Sequence, residues 1–516
     1  MADGTGRERL IADLMSSPVV TASVDDTIAD AARRMSEKRV GSVVVVDSEK
    51  PVGILTERDM VRFAASGSDA NSALVSEWMT SNPDTVDPTE AVAAAFDTLA
   101  EHDYRHIPVV SDGTLVGIVS MRDLMKISRI VPVDAPAAEV PRGLEGVVVA
   151  ETAIGDVRGT EGFYHYRQYD AVELNRKRSL EDVWYLVFNG YLPDKRQSEA
   201  WRERIKPLRE IPDSVAPLLP SIAALGGDRF KPLEALRTAY SALTSSLEFG
   251  PSLDISHEEL FENAMRTCAV VPTLLMALWR LNNGQDPVPP HPELGYAANY
   301  LYMLKGEPPT DQEAWAVERY LISTIDHGFN ASTFTARVIT STGADLGAAV
   351  VGAIGALSGP LHGGAPSRAL DLINHIGTKE NAEPMLREMV EEGDRIMGFG
   401  HRVYKTEDPR SRLLREVAEE LNAGRIDLAR HIEQTAVEVL DDLKPGRKLY
   451  ANVEFYGGVV MEAVGLPPEM FTPTFTSSRV IGWTAHALEQ AADNRLIRPA
   501  AEYIGPPPPQ PVPDPE

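Results

Sequence analysis

Apolar residues in the first quarter of the chain stand in short runs, and these runs recur. Val43–Val46 forms one run, and Ile107–Val110 forms another. A glycine with further apolar residues follows each of them, as Gly53–Leu55 and as Gly117–Val119. Short apolar runs bounded by polar residues and glycine predict buried β-strands. The pattern therefore predicts two similar units, each with a pair of strands.

The two units share one spacing. Gly53 lies 64 residues before Gly117, and Met15 lies 64 residues before Met79. Two motifs with a single offset are typical of a duplicated unit. We therefore interpret this part of the chain as two copies of one structural element.

Helix starts are predicted at matching places in the two copies. Ser23–Asp26 and Asp87–Glu90 each offer a cap oxygen, followed three residues later by a carboxylate. This spacing is the sequence signature of a helix N-terminus. Each copy is thus predicted to run in the order helix, strand, strand, helix, which makes the pair an α+β structure.

After these copies the pattern changes, so the chain is predicted to be a multidomain protein. A proline-containing stretch breaks the periodicity, and long amphipathic segments typical of helices follow it. The last residues are too rich in proline for a helix and predict an extended tail. The boundaries are repeat 1 at about 9–66, repeat 2 at about 73–128, a linker at 129–142, a mainly α-helical domain at 143–505 and the tail at 506–516.

Composition narrows the class of protein. The chain has 516 residues and a net charge of −26, and so acidic a surface repels nucleic acids and anionic membranes. No apolar run reaches the about 18 residues of a membrane span, and no signal-like core is found near residue 1. The single cysteine, Cys268, lies in an apolar stretch, which favours a buried packing residue over a reactive thiol. We expect a cytoplasmic protein without nucleic-acid or membrane partners.

The second strand of each copy ends in a hydroxyl residue, with an aspartate three residues later. The pairs are Thr56 with Asp59 and Ser120 with Asp123. The hydroxyl can contact a phosphate, and an ionised aspartate can accept from two ribose hydroxyls. The alternative is a helix cap beside a solvated carboxylate. The pattern over residues 9–128 resembles the cystathionine-β-synthase (CBS) domain pair, which implies that these four residues bind an adenine nucleotide as a regulator.

Two histidines of the predicted helical domain have glycines as close neighbours in the sequence. Glycines surround His362, and two other glycines, Gly398 and Gly400, precede His401. Glycine lets a ligand or a second backbone come close. The loop before His401 can also present backbone groups to phosphates or to a planar ligand.

Arginines follow in unusual contexts. Arg410 comes directly after Asp-Pro, and Arg479 and Arg498 lie further along the chain. Each could be a surface charge, but the guanidinium group is also the natural partner of a carboxylate. Together with His327 and Glu454 they suit a polycarboxylate substrate and a proton abstraction.

Motifs of several other enzyme classes are absent. The sequence has no HExxH, P-loop, GxSxG or pair of cysteine ligands. His327, His362 and His401 could converge on zinc, but the small residues beside them suit an organic ligand better. We therefore expect no metal.

The order of these motifs from Gly143 to Gly505 resembles citrate synthase. The resemblance implies a mostly α-helical fold with a large and a small domain, assembled as a homodimer or a higher homo-oligomer. It implies condensation of oxaloacetate with acetyl-CoA, with no metal and no tightly bound cofactor.

Three residues match the family's catalytic positions. The resemblance implies that His362 hydrogen-bonds the thioester oxygen and stabilises the enol, and that His401 polarises the ketone of oxaloacetate. Glu454 stands where the family carries aspartate, the base that removes the methyl proton. The difference adds one methylene, and a misplacement of about 1 Å can cost about 100-fold in rate.

Further residues match the family's binding positions. The resemblance assigns the carboxylates of oxaloacetate to His327, Arg410 and Arg479, and to Arg498 of the partner subunit. It assigns coenzyme A to Lys405, Gly398 and Gly400. One other departure is Gln168, which stands where glycine is expected and is interpreted as structural.

Two other interpretations stay open. The same catalytic residues serve 2-methylcitrate synthase, which uses propionyl-CoA, and one methylene in a pocket changes binding by only about 1–3 kcal/mol. The second is a non-catalytic nucleotide sensor on a citrate-synthase dimer scaffold. Glu454 in place of aspartate is the reason to consider it.

Overall fold

The computed structural model describes residues 10–38, 40–48, 50–92, 106–120, 142–144, 146–360, 362–363, 366–401, 403–446, 449–501, 503–506, 508–510 and 512. The chain divides into two compact units, Met1–Val147 and Val148–Glu516. We call them the N-terminal unit and the C-terminal unit.

A four-stranded sheet carries the first copy in the N-terminal unit. Its strands, in spatial order, are β1 (Thr21–Ser23), β2 (Ser42–Asp47), β3 (Lys50–Thr56) and β4 (Thr80–Ser81). β1 runs parallel to β2, and the other neighbours are antiparallel. The helices of this part are α1 (Ile28–Lys38), α2 (Glu57–Ser66) and α3 (Val75–Trp78).

The second copy repeats the strand pairing of the first. β5 (His106–Ser111) and β6 (Thr114–Ser120) are antiparallel. Their pair Ile107↔Val119 corresponds to Val43↔Leu55 in the first sheet, and both ladders have an irregularity after the second residue beyond that pair. The predicted duplication is therefore confirmed residue by residue. The helix start predicted at Asp87–Glu90 is a turn, in which the Asp87 amide donates to Glu90 Oε1 at 2.9 Å. Residues 93–105 and 121–128, on which the rest of the helix prediction for the second copy falls, lie outside the described residues.

Each repeated glycine lies against the methionine of the other copy. A Cβ on Gly53 would come within 2.2 Å of the sulfur of Met79, and one on Gly117 within 2.5 Å of the sulfur of Met15. Met15 thus belongs to the first copy but packs on the second, and Met79 of the second copy packs on the first. The shared offset of 64 residues is explained because both glycines make room for the same side chain.

The helix start predicted for the first copy is also displaced. Ser23 and Asp26 form a turn in which the Ser23 amide donates to Asp26 Oδ2 at 2.7 Å. α1 starts later, where the Asp30 amide donates to Thr27 Oγ1 at 3.2 Å. The prediction at Ser23 was wrong because two successive segments carry the same hydroxyl-to-carboxylate spacing.

The C-terminal unit begins with a small antiparallel sheet and continues as helices. The strands are β7 (Gly155–Arg158), β8 (Phe163–Tyr166) and β9 (Tyr169–Asp170). The first helices are α4 (Ala171–Lys177), α5 (Leu180–Asn189), α6 (Lys195–Ile205), α7 (Leu219–Ala224), α8 (Pro232–Ser246), α9 (His257–Asn282), α10 (Tyr296–Lys305) and α11 (Asp311–Thr324). They are followed by α12 (Ala331–Ser341), α13 (Leu346–Leu357), α14 (Pro366–Ile376), α15 (Lys379–Glu392), α16 (Pro409–Glu420), α17 (Ile426–Leu443), α18 (Val453–Ala463) and α19 (Phe471–Ala492).

The centre of this unit is formed by its two longest helices. α9 packs against α19 and is mostly buried. By length and apolar composition alone α9 could cross a membrane, but the burial of its residues is that of a core helix. Cys268 lies on α9, fully buried, with its sulfur 3.1 Å from Thr484 Oγ1, and burial raises the pKa of the thiol. The prediction of a packing cysteine is confirmed.

A second helical group interrupts the central one. α15 packs against α17, and α14 and α16 pack against α18, while α19 returns to α9. The predicted fold class, an α+β pair followed by a mainly α-helical fold with a larger and a smaller part, is confirmed. The turns that lead into α12, α16 and α18 position the side chains described next.

Candidate active site

Three of the capped helices of the C-terminal unit lead into the candidate site. Asn330 caps α12, Asp408 caps α16 and Asn452 caps α18, each by accepting from amides of the first turn. The amide of Val453 also donates to Asp408 Oδ2 at 3.1 Å, which joins the start of α18 to the start of α16. Helix N-termini carry partial positive charge and favour anions.

His362 is held in one tautomer. Its Nε2 lies 3.3 Å from the amide of Ser332 and 2.8 Å from the hydroxyl of the same residue. Trp483 Nε1 donates to that hydroxyl at 3.0 Å. Because an amide can only donate, Nε2 accepts, and the proton of the neutral ring is on Nδ1. Burial and the nearby Arg479 lower the pKa of His362 to about 4, so at pH 7 it is a neutral donor.

His401 is held in the opposite tautomer. Its Nδ1 accepts from the amides of Val403 and Tyr404 at 3.0 and 3.1 Å, which leaves the proton on Nε2. Burial and Arg410 lower the pKa of His401 to about 4. Nε2 lies 3.4 Å from Nη2 of Arg410, which is also a donor. Two donors that face each other need an acceptor beside them, and an anionic ligand supplies one.

Arg410 is fixed by the residue that caps its own helix. Its Nε and Nη2 donate to the two carboxylate oxygens of Asp408 at 3.0 and 2.8 Å, and both side chains are buried. Burial alone would lower the pKa of Arg410, but Asp408 outweighs it and raises that pKa above its ordinary value. The guanidinium stays charged and cannot rotate away, because the bidentate pair fixes its plane.

His327 and Arg479 are the remaining polar side chains of the cluster. The ring of His327 lies 5.3 Å from that of His401, and its Nε2 is 3.0 Å from the hydroxyl of Tyr404. Burial, followed by Arg410 and His401, holds the pKa of His327 well below its usual value. Arg479 is buried, and its Nε donates to the carbonyl of Thr324 at 2.8 Å. Burial lowers the pKa of Arg479 to about 10, so it is charged at pH 7.

Glu454 lies in the first turn of α18, half-buried. Its amide donates to Asn452 Oδ1 at 3.0 Å, and no residue in the described part of the chain donates to its carboxylate. Burial raises the pKa of Glu454 to about 7, with Arg410 opposing the rise and Asp408 adding to it. A carboxylate without a partner and with a pKa near 7 is suited to general-base catalysis.

Two cavities meet at His401. The smaller, of about 140 Å³, is lined by His401, Tyr404, Lys405, Thr406, Asp408, Leu449, Tyr450 and Ala451. The larger, of about 430 Å³, shares His401 and Leu449 with it and is also lined by Gly400, Arg395 and Lys444, among others. Gly398 and Gly400 have φ of +85° and +84°, which favours glycine and shapes this loop. The cavities provide a small anion pocket beside a larger cationic one.

The structure thus brings together His327, His401, Arg410 and Lys405. His362, Arg479 and Glu454 lie close enough to this site for the charge of Arg479 to affect the pKa of His362 and that of Arg410 to affect the pKa of Glu454. Arg498 lies in the exposed segment after α19 and is not part of this cluster among the described residues. Sequence reasoning missed Ser332, Tyr404 and Asp408. For Asp408 the signal was present, because aspartate before proline is typical of a helix start.

Two of the predicted nucleotide-binding residues, Thr56 and Asp59, form a helix cap in the N-terminal unit. Asp59 Oδ2 accepts from the amide and the hydroxyl of Thr56 at 3.0 and 2.8 Å, and its Oδ1 pairs with Arg62 at 3.3 Å. Asp59 is buried rather than solvated, and the helix cap of the alternative interpretation is present in the first copy. Ser120 ends β6, and Asp123 lies outside the described residues. Nucleotide binding stays a prediction.

Known proteins resemble both parts of the chain. The family model "Citrate synthase, C-terminal domain" matches residues 143–500, and the CBS domain model matches 11–66 and 75–129. Citrate synthase 2 of Bacillus subtilis is 38% identical over 365 residues, 71% of this chain and 96% of that protein. The 2-methylcitrate synthase of Shewanella oneidensis is 35% identical over 366 residues, 70% of this chain and 94% of that protein.

A solved structure resembles the C-terminal part in shape. It is the ternary complex of carboxymethyl coenzyme A and oxaloacetate with citrate synthase from Thermoplasma acidophilum. Its TM-score is 0.66 at 28% identity, and the match covers 73% of this chain and 98% of that one.

Proposed function

The chain belongs to the citrate synthase family of acyltransferases and carries two CBS domains, and from this premise we propose that it condenses oxaloacetate with acetyl-CoA to give citrate and CoA. The observation that carries the proposal is the pair of donors on His401 and Arg410. They lie 3.4 Å apart in a buried pocket and can both be satisfied by a ligand that has a ketone next to a carboxylate.

The reaction starts with removal of a proton from the methyl group of the thioester. Glu454 accepts this proton, and Nδ1–H of His362 donates to the thioester oxygen as the enol forms. A neutral donor facing a carboxylate base stabilises charge as it develops. The enol carbon then attacks the ketone carbon of oxaloacetate, so that a carbon–carbon bond forms while the π bond of the ketone breaks and the thioester carbonyl is restored. The ketone oxygen accepts a hydrogen bond from Nε2–H of His401 and becomes the hydroxyl of citrate by taking up the proton that left the methyl group. Water hydrolyses the thioester and releases CoA.

Substrate binding is assigned to the remaining polar groups of the site. Arg410, Arg479 and His327 bind the carboxylates of oxaloacetate, and Lys405 with the loop from Gly398 to Gly400 contacts coenzyme A. The family and the complex from Thermoplasma acidophilum support oxaloacetate and an acyl-CoA as the substrates. Arg498 would reach the site of a second copy, so a homodimer is the expected active form. Sedimentation of the active chain as a monomer would contradict this.

The choice of thioester is tested by the ratio of the two kcat/KM values. The additional methylene of Glu454 carries its carboxylate further into the site and leaves less room beside the α-carbon. We expect acetyl-CoA to be favoured over propionyl-CoA by about 10-fold or more, the scale on which a pocket distinguishes one methylene. A ratio that favours propionyl-CoA identifies a 2-methylcitrate synthase, and no turnover of either identifies a non-catalytic sensor.

Regulation is proposed for the N-terminal unit. We propose that an adenine nucleotide binds it, with Thr56 and Ser120 at phosphates and with Asp59 and Asp123 at ribose hydroxyls. Support comes from the two CBS matches and from the buried position of Asp59 at the start of α2. A nucleotide can change turnover only if it binds two states of the protein with different affinity.

Calorimetry with AMP, ADP and ATP measures this binding, and the variant Asp59→Asn should weaken it by about 10-fold, because an amide replaces an acceptor-only group. Asp26→Asn is the matched control, since Asp26 also accepts from an amide three residues earlier and pairs with an arginine, Arg34. Absence of heat and of any kinetic effect with all three nucleotides would refute the proposal.

A further inference from the structure

A buried run of polar side chains lies behind the residues assigned to oxaloacetate, and the mechanism above does not use it. It starts at Asp326, which directly precedes His327 and is buried. Oδ2 of Asp326 accepts from the amide of Gly328 at 3.1 Å. Gly328 has φ of +62°, so the turn that carries His327 is sharp and is closed by this carboxylate.

The second member of the run is His486 on α19, which is completely buried. Its Nε2 lies 3.2 Å from Oδ1 of Asp326, and its Nδ1 lies 3.4 Å from Nη1 of Arg337. Because a guanidinium can only donate, Nδ1 accepts and Nε2 donates to the carboxylate. His486 therefore links a buried cation to a buried anion.

The outer end of the run is Glu489. Nη1 of Arg337 donates to its Oε2 at 2.7 Å, while its Oε1 accepts from the amide of Ala153 at 2.7 Å. Nε of Arg337 also donates to Oε1 of Gln490 at 2.9 Å. Hydrogen bonds thus connect the first residues of the C-terminal unit, which begins at Val148, with the turn that carries His327.

The same residues also hold the far side of that turn. The guanidinium of Arg337 lies 5.6 Å from the ring centroid of Phe329, and the ring of His486 lies 6.4 Å from it. The turn is therefore fixed at two points, by its amide at Gly328 and by its aromatic ring at Phe329.

The run also sets the charge beside Arg479. Burial would raise the pKa of Asp326, but His486 and then Arg479 outweigh it and hold it below its ordinary value. The ionised Asp326 in turn opposes the lowering of the pKa of Arg479 by burial. Geometry and charge at two of the assigned oxaloacetate residues therefore depend on Asp326 and its partners.

We propose that Asp326, His486, Arg337 and Glu489 form a positioning chain for the oxaloacetate site, with Glu489 as its outer end. The inference rests on the proposed function for the identity of the substrate. This positioning chain of side chains touches no substrate and acts by holding His327 and Arg479. Loss of its outer end should therefore weaken oxaloacetate binding and leave thioester binding unchanged.

The test is steady-state kinetics of Glu489→Gln, which keeps the shape of the side chain but removes its charge. We expect the KM for oxaloacetate to rise about 10-fold, because a loosened turn misplaces the binding groups, and the KM for the thioester to stay within about twofold. Glu313→Gln is the matched control, since the side chain of Glu313 is 26% exposed against 23% for Glu489 and is likewise paired, with Lys305. The control should leave both KM values unchanged.

Two further measurements keep the proposal falsifiable. Phe329→Leu removes the ring that lies against Arg337 and His486 but keeps every charged group in place, and it should raise the KM for oxaloacetate in the same way. Equal rises of both KM values together with a lower Tm, or no rise in either variant, would overturn the proposal. Calorimetric titration with oxaloacetate alone separates the positioning role from the proposed condensation. Weakened oxaloacetate binding in Glu489→Gln supports the positioning role even if no condensation product is found.

Discussion

Replacing Glu454 by glutamine lowers kcat by about 1000-fold, within the range of about 100- to 10,000-fold that a general base contributes. Glutamine fills nearly the same space but cannot accept a proton from the methyl carbon. The carboxylate of Glu454 has no donor in the described part of the chain, so the substitution should disturb little else. Steady-state kinetics with saturating oxaloacetate and acetyl-CoA measure the loss.

Glu462→Gln is the matched control for this prediction. Glu462 lies two turns further along α18, is half-exposed and pairs with Arg425 at 3.1 Å. It should keep the activity of the unchanged chain. Glu454→Asp draws the carboxylate back by about one methylene and should lower kcat by about 10- to 100-fold. A more active Glu454→Asp variant would show that glutamate is not fitted to this site.

The pH dependence follows from the same residue. Because burial raises the pKa of Glu454 to about 7, the base is progressively protonated below that pH. The histidines His362 and His401 have pKa values of about 4 and stay neutral over this range. We therefore expect kcat/KM to fall by about tenfold per pH unit below pH 7. A flat profile between about pH 5 and 8 would exclude Glu454 as the base.

Replacing His362 by asparagine should lower kcat by about 100- to 1000-fold, the usual cost of losing one donor to a developing oxyanion. The reason is the fixed tautomer, in which the amide of Ser332 occupies Nε2 and leaves Nδ1–H for the thioester oxygen. An asparagine donor is shorter and lacks this support. The KM for oxaloacetate should change much less than kcat.

The control for this substitution is a partly exposed histidine of the same unit. His431 on α17 contacts the carbonyl of Lys379 at 3.1 Å, and His431→Asn should retain full activity. If His362→Asn kept more than about a tenth of the wild-type kcat, the enol would have to be stabilised by another donor.

Much of the fold could be predicted because its signals are local. The strands predicted at Val43–Val46 and Ile107–Val110 are the centres of β2 and β5, and period and length alone identify such segments. The helix start of α1 was placed too early because Ser23 and Thr27 carry the same local signal. The packing of Met15 on Gly117 was not predicted, since contacts between distant segments leave no local pattern.

The candidate site, like the fold, could be predicted from the sequence only in part. His362, His401 and Glu454 could be identified from their neighbours in the sequence and from the family pattern. What fixes their chemistry could not be identified, because it depends on pairs that are far apart along the chain. Ser332 lies 30 residues from His362, and Asp326 lies 160 residues from His486. Only the fold brings such pairs together.

The proposed condensation is tested most directly by mass spectrometry of the products that the full chain forms from oxaloacetate and acetyl-CoA. We expect citrate and free CoA in equal amounts. Neither citrate from acetyl-CoA nor 2-methylcitrate from propionyl-CoA, with the protein folded and oxaloacetate in excess, would contradict it.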